Sequence, residues 1–152
     1  MNALKNIITL AALIALPLTA MTAEPEKQPD VKLHKVVFEV ATDGAGPWLG
    51  ALRNVENVQK TLGATTTTIK VVAHGKGIGM LLAKNADENP ELKAALEKLH
   101  ATGVVFAVCE NTLIKMQISK DHLVPLAATV DSGVSEVIRK QEAGYAYIKS
   151  GG

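Results

Sequence analysis

Runs of β-branched and aliphatic residues alternate along this chain with stretches whose apolar positions recur every three or four residues. The first run, residues 35–41, reads as a strand, and residues 47–62 read as a helix. Leu49, Leu52, Val55, Val58 and Leu62 fall on one side of that helix, and Gly63 is placed as its stop. A second strand is expected at 67–73, where a threonine run adds β propensity rather than a site. Residues 78–83 read as a short apolar helix. Asn89 and Pro90 then supply a cap and a first-turn proline to a helix in which Leu92, Ala95, Leu96 and Leu99 share a face, as far as Gly103. A third strand at 104–108, a short helix at 112–117 and a fourth strand at 126–130 follow. Val134, Val137 and Ile138 mark a last large helix that Gly144 ends, and residues 145–148 can close the sheet as a fifth strand.

Strands separated by helical crossovers specify an α/β fold with a mainly parallel five-stranded sheet covered on both faces. In such sheets the reactive site lies outside the carboxyl ends of the strands. Here those ends carry Thr42-Asp43-Gly44, His74-Gly75-Lys76, Cys109-Glu110-Asn111 and Asp131-Ser132-Gly133. Glycines in turns are first of all punctuation, so the polar residues beside them carry the interest.

The amino-terminal segment belongs to a different pattern. Lys5 is followed by an uncharged apolar run at 7–18, then by the small residues Ala20 and Ala23. This is the pattern of a secretory signal peptide at residues 1–23, with an apolar run too short for a comfortable membrane span. Residues 24–32, with two prolines and several charges, read as a flexible leader into a single domain at 33–152. The expectation is a soluble periplasmic protein that has no membrane contact after cleavage. Without residues 1–23 the chain holds 15 basic and 15 acidic residues, a balance that argues against capture of nucleic acid or an anionic membrane.

Export gives weight to the cysteine count, which is one. Cys109 can form no internal disulfide, and it stands where a strand runs into a helix start. A thiol there faces the positive end of the helix dipole and unpaired backbone N–H groups, both of which favour thiolate. Glu110 opposes this if its carboxylate points the same way. The other candidates are weaker. Gly75-Lys76-Gly77-Ile78-Gly79 lacks the spacing of a dinucleotide fingerprint and the ending of a P-loop. His34, His74, His100 and His122 show no metal-ligand spacing, so neither metal nor cofactor is expected, and His100 reads as a solvent-facing helix end.

The stretch Cys109-Glu110-Asn111-Thr112-Leu113, the stretch from Val130-Asp131-Ser132-Gly133 to Gly144-Tyr145-Ala146-Tyr147-Ile148, and the turn Val71-Val72-Ala73-His74-Gly75 together resemble the DsrE/DsrF-like sulfur-relay family. The resemblance spans residues 35–149. It implies a three-layer α/β/α sandwich assembling as a homotrimer or hexamer. It also implies a cysteine, here Cys109, that carries persulfide sulfur between partners, with His74, Gly75, Asn111 and Thr112 around the sulfur or a small ligand. The partner would be a sulfur donor or acceptor protein or a small sulfur species, and the protein a carrier rather than a turnover enzyme. The alternative from a different class is a non-catalytic oligomeric module that binds a small ligand or a protein. A thiol–disulfide enzyme is the weakest reading, because the chain has no second cysteine to resolve a mixed disulfide.

Overall fold

In the computed structural model, residues 32–150 are described; the expected signal peptide and nearly all of the expected leader lie outside them. Five strands, β1 (His34–Val40), β2 (Thr67–Ala73), β3 (Val105–Cys109), β4 (Ala127–Val130) and β5 (Ala146–Ser150), pair only in parallel, in the order β4-β3-β2-β1-β5. The helices are α1 (Ala45–Leu62), α2 (Ala83–Glu88), α3 (Pro90–Ala101), α4 (Glu110–Met116) and α5 (Gly133–Glu142). The expected α/β sandwich with a parallel five-stranded sheet is what the chain forms.

The topology follows from handedness. β1 to β4 advance strand by strand in one direction, and right-handed crossovers of that sense put their helices on one face. The passage from β4 to β5 runs back across the sheet, so α5 lies on the other. The two faces are unequal. On the first, Val36, Phe38 and Val40 of β1 meet Trp48, Leu52 and Val55 of α1, Leu92 and Leu96 of α3, and Phe106 of β3. Register aligns Ile148, Phe38, Val71, Phe106 and Ala127 in one row across all five strands. On the second face α5 buries Val137 against Val37 and Val72, with Tyr145 alongside. Charge supplements that small core. The carboxylate of Glu136 lies 2.5 Å from Lys70 of β2 and 3.1 Å from Arg139.

Local chemistry explains several boundaries. Asn89 caps α3 by accepting a hydrogen bond from the Leu92 amide at 3.0 Å, with Pro90 in the first turn, as the sequence predicts. Four of the five expected apolar positions of α1 face the core: Leu52 and Val55 are buried, and Leu49 and Val58 pack against it. Trp48, Ala51 and Gln59 are buried as well, and Leu62 is exposed. The Trp48 indole N–H donates to the Thr42 carbonyl at 2.8 Å while its ring packs against Gly79. The helix expected at 78–83 is instead a 3₁₀ segment, Gly75–Leu81, with α2 following it. Its glycines answer to packing rather than to phosphate. A Cβ on Gly77 would stand 2.1 Å from the Val40 carbonyl oxygen, and one on Gly79 would stand 2.6 Å from the Trp48 ring.

Candidate functional site

Cys109 is the last residue of β3 and the N-cap of α4. The adjacent strands β3 and β4 send their following helices to opposite faces, since Leu113 of α4 belongs to the larger core and Val137 of α5 to the smaller. That divergence is a topological switch point, the place where open parallel sheets form their crevice. The starts of α4 and α5 therefore converge on one sulfur. The Cys109 thiol lies near the Thr112 hydroxyl and the backbone N–H groups of Gly133, Thr112 and Asn111, and these polar groups favour its charged form. The hydroxyl is itself oriented, because its oxygen accepts from the Gly75 amide at 3.2 Å.

Two effects compete at this thiol. Burial, which leaves the residue only 5% exposed, disfavours the charged form and pushes the pKa up. The Thr112 hydroxyl and the three amides favour the charged form, and their sum wins: the thiol is held below its ordinary value. The expected opposition from Glu110 does not arise. Its carboxylate turns toward β4, where it is met by the Lys120 ammonium and by the Thr129 hydroxyl at 2.6 Å.

The sequence singled out Cys109, His74, Gly75, Asn111 and Thr112, and the fold places all five at this edge of the sheet. The Asn111 amide donates to the Asp131 carbonyl at 3.2 Å, and its side chain is exposed. His74 adjoins the thiol across Gly133: a Cβ on that glycine would lie 2.9 Å from His74 Cβ and 3.2 Å from Cys109 Cβ. His74 Nε2 pairs with Glu39 Oε1 at 2.6 Å, and the Tyr147 hydroxyl donates to the other carboxylate oxygen. Burial raises the Glu39 pKa, but hydrogen bonds from Tyr147 and His74, with the charge of Lys149 nearby, bring it below the ordinary carboxylate value.

Sequence reasoning missed Gly133, Glu39 and Tyr147 as members of this site. The signals were a charged residue inside the apolar strand at Glu39 and, for Gly133, its turn at the expected edge of the sheet. The Tyr147 phenol is pushed up to about 12, chiefly by donating to Glu39. In a Tyr145→Phe variant, which leaves Tyr147 as the sole tyrosine, ultraviolet titration should find that value, and Glu39→Gln should return it toward about 10. A phenol that ionises near 10 with Glu39 in place would contradict the pairing.

Among the described residues, no group of three or more His, Cys, Asp and Glu side chains could hold a metal ion. Two apolar grooves of about 280 and 330 Å³ flank the segment before β4, and neither is lined by a residue of the thiol site.

Comparison with known proteins agrees with this architecture. No curated protein matches the chain. Among solved structures, the protein of unknown function MTH1491 from Methanobacterium thermoautotrophicum is similar at 31% identity and a TM-score of 0.68, covering 76% of this chain and 98% of its own. The YchN protein from E. coli shares the fold at 14% identity and a TM-score of 0.60, covering 78% of this chain and 98% of its own. The model of the DsrE/DsrF-like family matches residues 48–150, which hold the thiol, both helix starts and the tyrosine, and the chain belongs to that family.

Proposed function

We propose that this protein carries sulfur as a persulfide on Cys109, taking it from and passing it to a partner protein or a small sulfur species. The observation that carries the reading is the convergence of two helix starts and the Thr112 hydroxyl on one thiol, which is held below its ordinary pKa. Thiolate is the attacking form in sulfur exchange, and a thiol of low pKa also leaves faster. A depressed thiol thus serves both halves of a relay. It attacks the outer sulfur of a donor persulfide, and it departs as thiolate when an acceptor thiol removes that sulfur. The lone cysteine fits a carrier, since no second thiol in the chain can discharge the persulfide as an internal disulfide. Burial of the site favours small sulfur species or a narrow donor segment over a broad reactant.

The proposal includes export to the periplasm, on the strength of the apolar run and small residues within 1–23. It also includes assembly as a homotrimer or hexamer. Val105, Val134 and Ile138 are large apolar residues left exposed on β3 and α5, a feature that suits subunit contacts. Light scattering at micromolar concentration should give a mass of three or six chains, and a strict monomer would contradict the assembly.

The reading is tested by incubating folded protein with a persulfide donor and weighing it intact. Wild type should gain sulfur that cyanide or reductant removes, and a Cys109→Ser variant should gain none. Equal gain by both proteins, or none by wild type, would sink the carrier.

A further inference from the structure

The amides around Cys109 stabilise a thiolate but cannot take the proton that its formation releases. His74 is placed for that task. Its Cβ and that of Cys109 flank the same glycine and lie no more than about 6 Å apart. The ring is held at one end only. Nε2, the end away from Cγ, is bound by Glu39 at 2.6 Å. Cγ lies at the near end, 3.4 Å from where a Gly133 Cβ would stand, and the Nδ1 bonded to it makes no hydrogen bond among the described residues.

The partner at the far end decides the tautomer. An ionised carboxylate only accepts hydrogen bonds, so the proton between Glu39 and a neutral His74 sits on Nε2, which leaves the lone pair on Nδ1. Tyr147, hydrogen-bonded to the second oxygen of Glu39, holds the carboxylate in place. We propose that His74 is the proton acceptor for Cys109, with Glu39 and Tyr147 as positioning residues that hold its Nε2 and leave Nδ1 to take the proton. The groups facing the imidazole are few. β1 supplies Glu39, β5 supplies Tyr147 and Lys149 acting through Glu39, and Cys109 at the end of β3 lies across Gly133. At the start of α5 it meets uncharged Gly133, and the nearby Asp131 carboxylate is occupied by Arg139 at 2.6 Å.

This inference rests on the carrier reading and supplies its proton step. The Cys109 proton passes to Nδ1, and Sγ attacks the outer sulfur of the donor persulfide. The donor S–S bond breaks as the Sγ–S bond forms, and the donor thiolate departs with the electron pair and collects the proton from His74. One sulfur atom moves between two thiols, so no oxidant or reductant is consumed.

Alkylation by iodoacetamide addresses the proton step without any persulfide. Measured on the full chain across pH, the midpoint of the Cys109 rate should rise in His74→Ala, with a rate about tenfold lower at neutral pH. Glu39→Gln should move it the same way by less, and free imidazole should restore part of the His74→Ala rate. Circular dichroism identifies any variant that fails to fold, and Tyr147→Phe then supplies a milder perturbation of the same ring. An unmoved midpoint in folded His74→Ala, or one indifferent to imidazole, overturns the proton acceptor even where sulfur loading succeeds. A raised midpoint in a protein that never accepts sulfur supports the acceptor and overturns the carrier instead.

Discussion

Gly77→Ala should destabilise the protein by about 3 kcal/mol, the upper end of the usual cost of overpacking. The added methyl would fall 2.1 Å from the Val40 carbonyl oxygen, 2.5 Å from its carbon and 2.9 Å from the Ala41 nitrogen. All three atoms are backbone at the end of β1, so no side chain can swing aside and the strand or the turn must move. The Val40 carbonyl also accepts the His74 amide at 3.1 Å, so the displacement reaches the candidate site through that hydrogen bond. Gly50→Ala is the matched control. It lies inside α1 with nothing within 4 Å of the new methyl, and there alanine should stabilise by about 0.5–1 kcal/mol. Chemical denaturation of the two variants should move the midpoint in opposite directions. A Gly77→Ala protein as stable as wild type would mean that β1 and the 3₁₀ turn do not touch as described.

Cys109→Ser should abolish sulfur capacity altogether while leaving the fold intact. Serine is slightly smaller than cysteine, and its hydroxyl can accept from the same N–H groups that surround the thiol. The packing loss is therefore small, and no buried donor is left without a partner. What disappears is the chemistry, because an alkoxide is not accessible near neutral pH and a hydroxyl does not hold sulfane sulfur. Unfolding curves that nearly coincide, beside a complete loss of donor-derived sulfur, are the expected pair of results. A variant that loses its fold along with its sulfur would show instead that Cys109 is a structural residue.

Much of this arrangement is legible before any coordinates. The parallel α/β architecture follows from strand-length apolar runs separated by helical periodicity, and Asn89-Pro90 marks a helix start by capping chemistry alone. Cys109 stands out because a strand pattern ends where a helix pattern begins. What could not be read depends on strand order and close approach. Gly133 comes up against Cys109 only because β4 lies beside β3 and α5 then turns to the opposite face. The Tyr147–Glu39–His74 chain exists only because β5 returns across the sheet to pair with β1, a partner that no local pattern specifies. The burial of Trp48 was not legible either, since its indole is held by the Thr42 carbonyl of the preceding turn. The role of Glu110 was likewise invisible, since its partners Lys120 and Thr129 are brought to it by the loop before β4 and by β4 itself.

The central claim is that Cys109 holds sulfur, and the most direct measurement is the intact mass of protein taken from its own cells without reduction. The account predicts a population heavier by one sulfur atom, lost on treatment with cyanide and mapped to the Cys109 peptide. Protein that carries only the bare thiol, and stays bare after exposure to a persulfide donor, would contradict it.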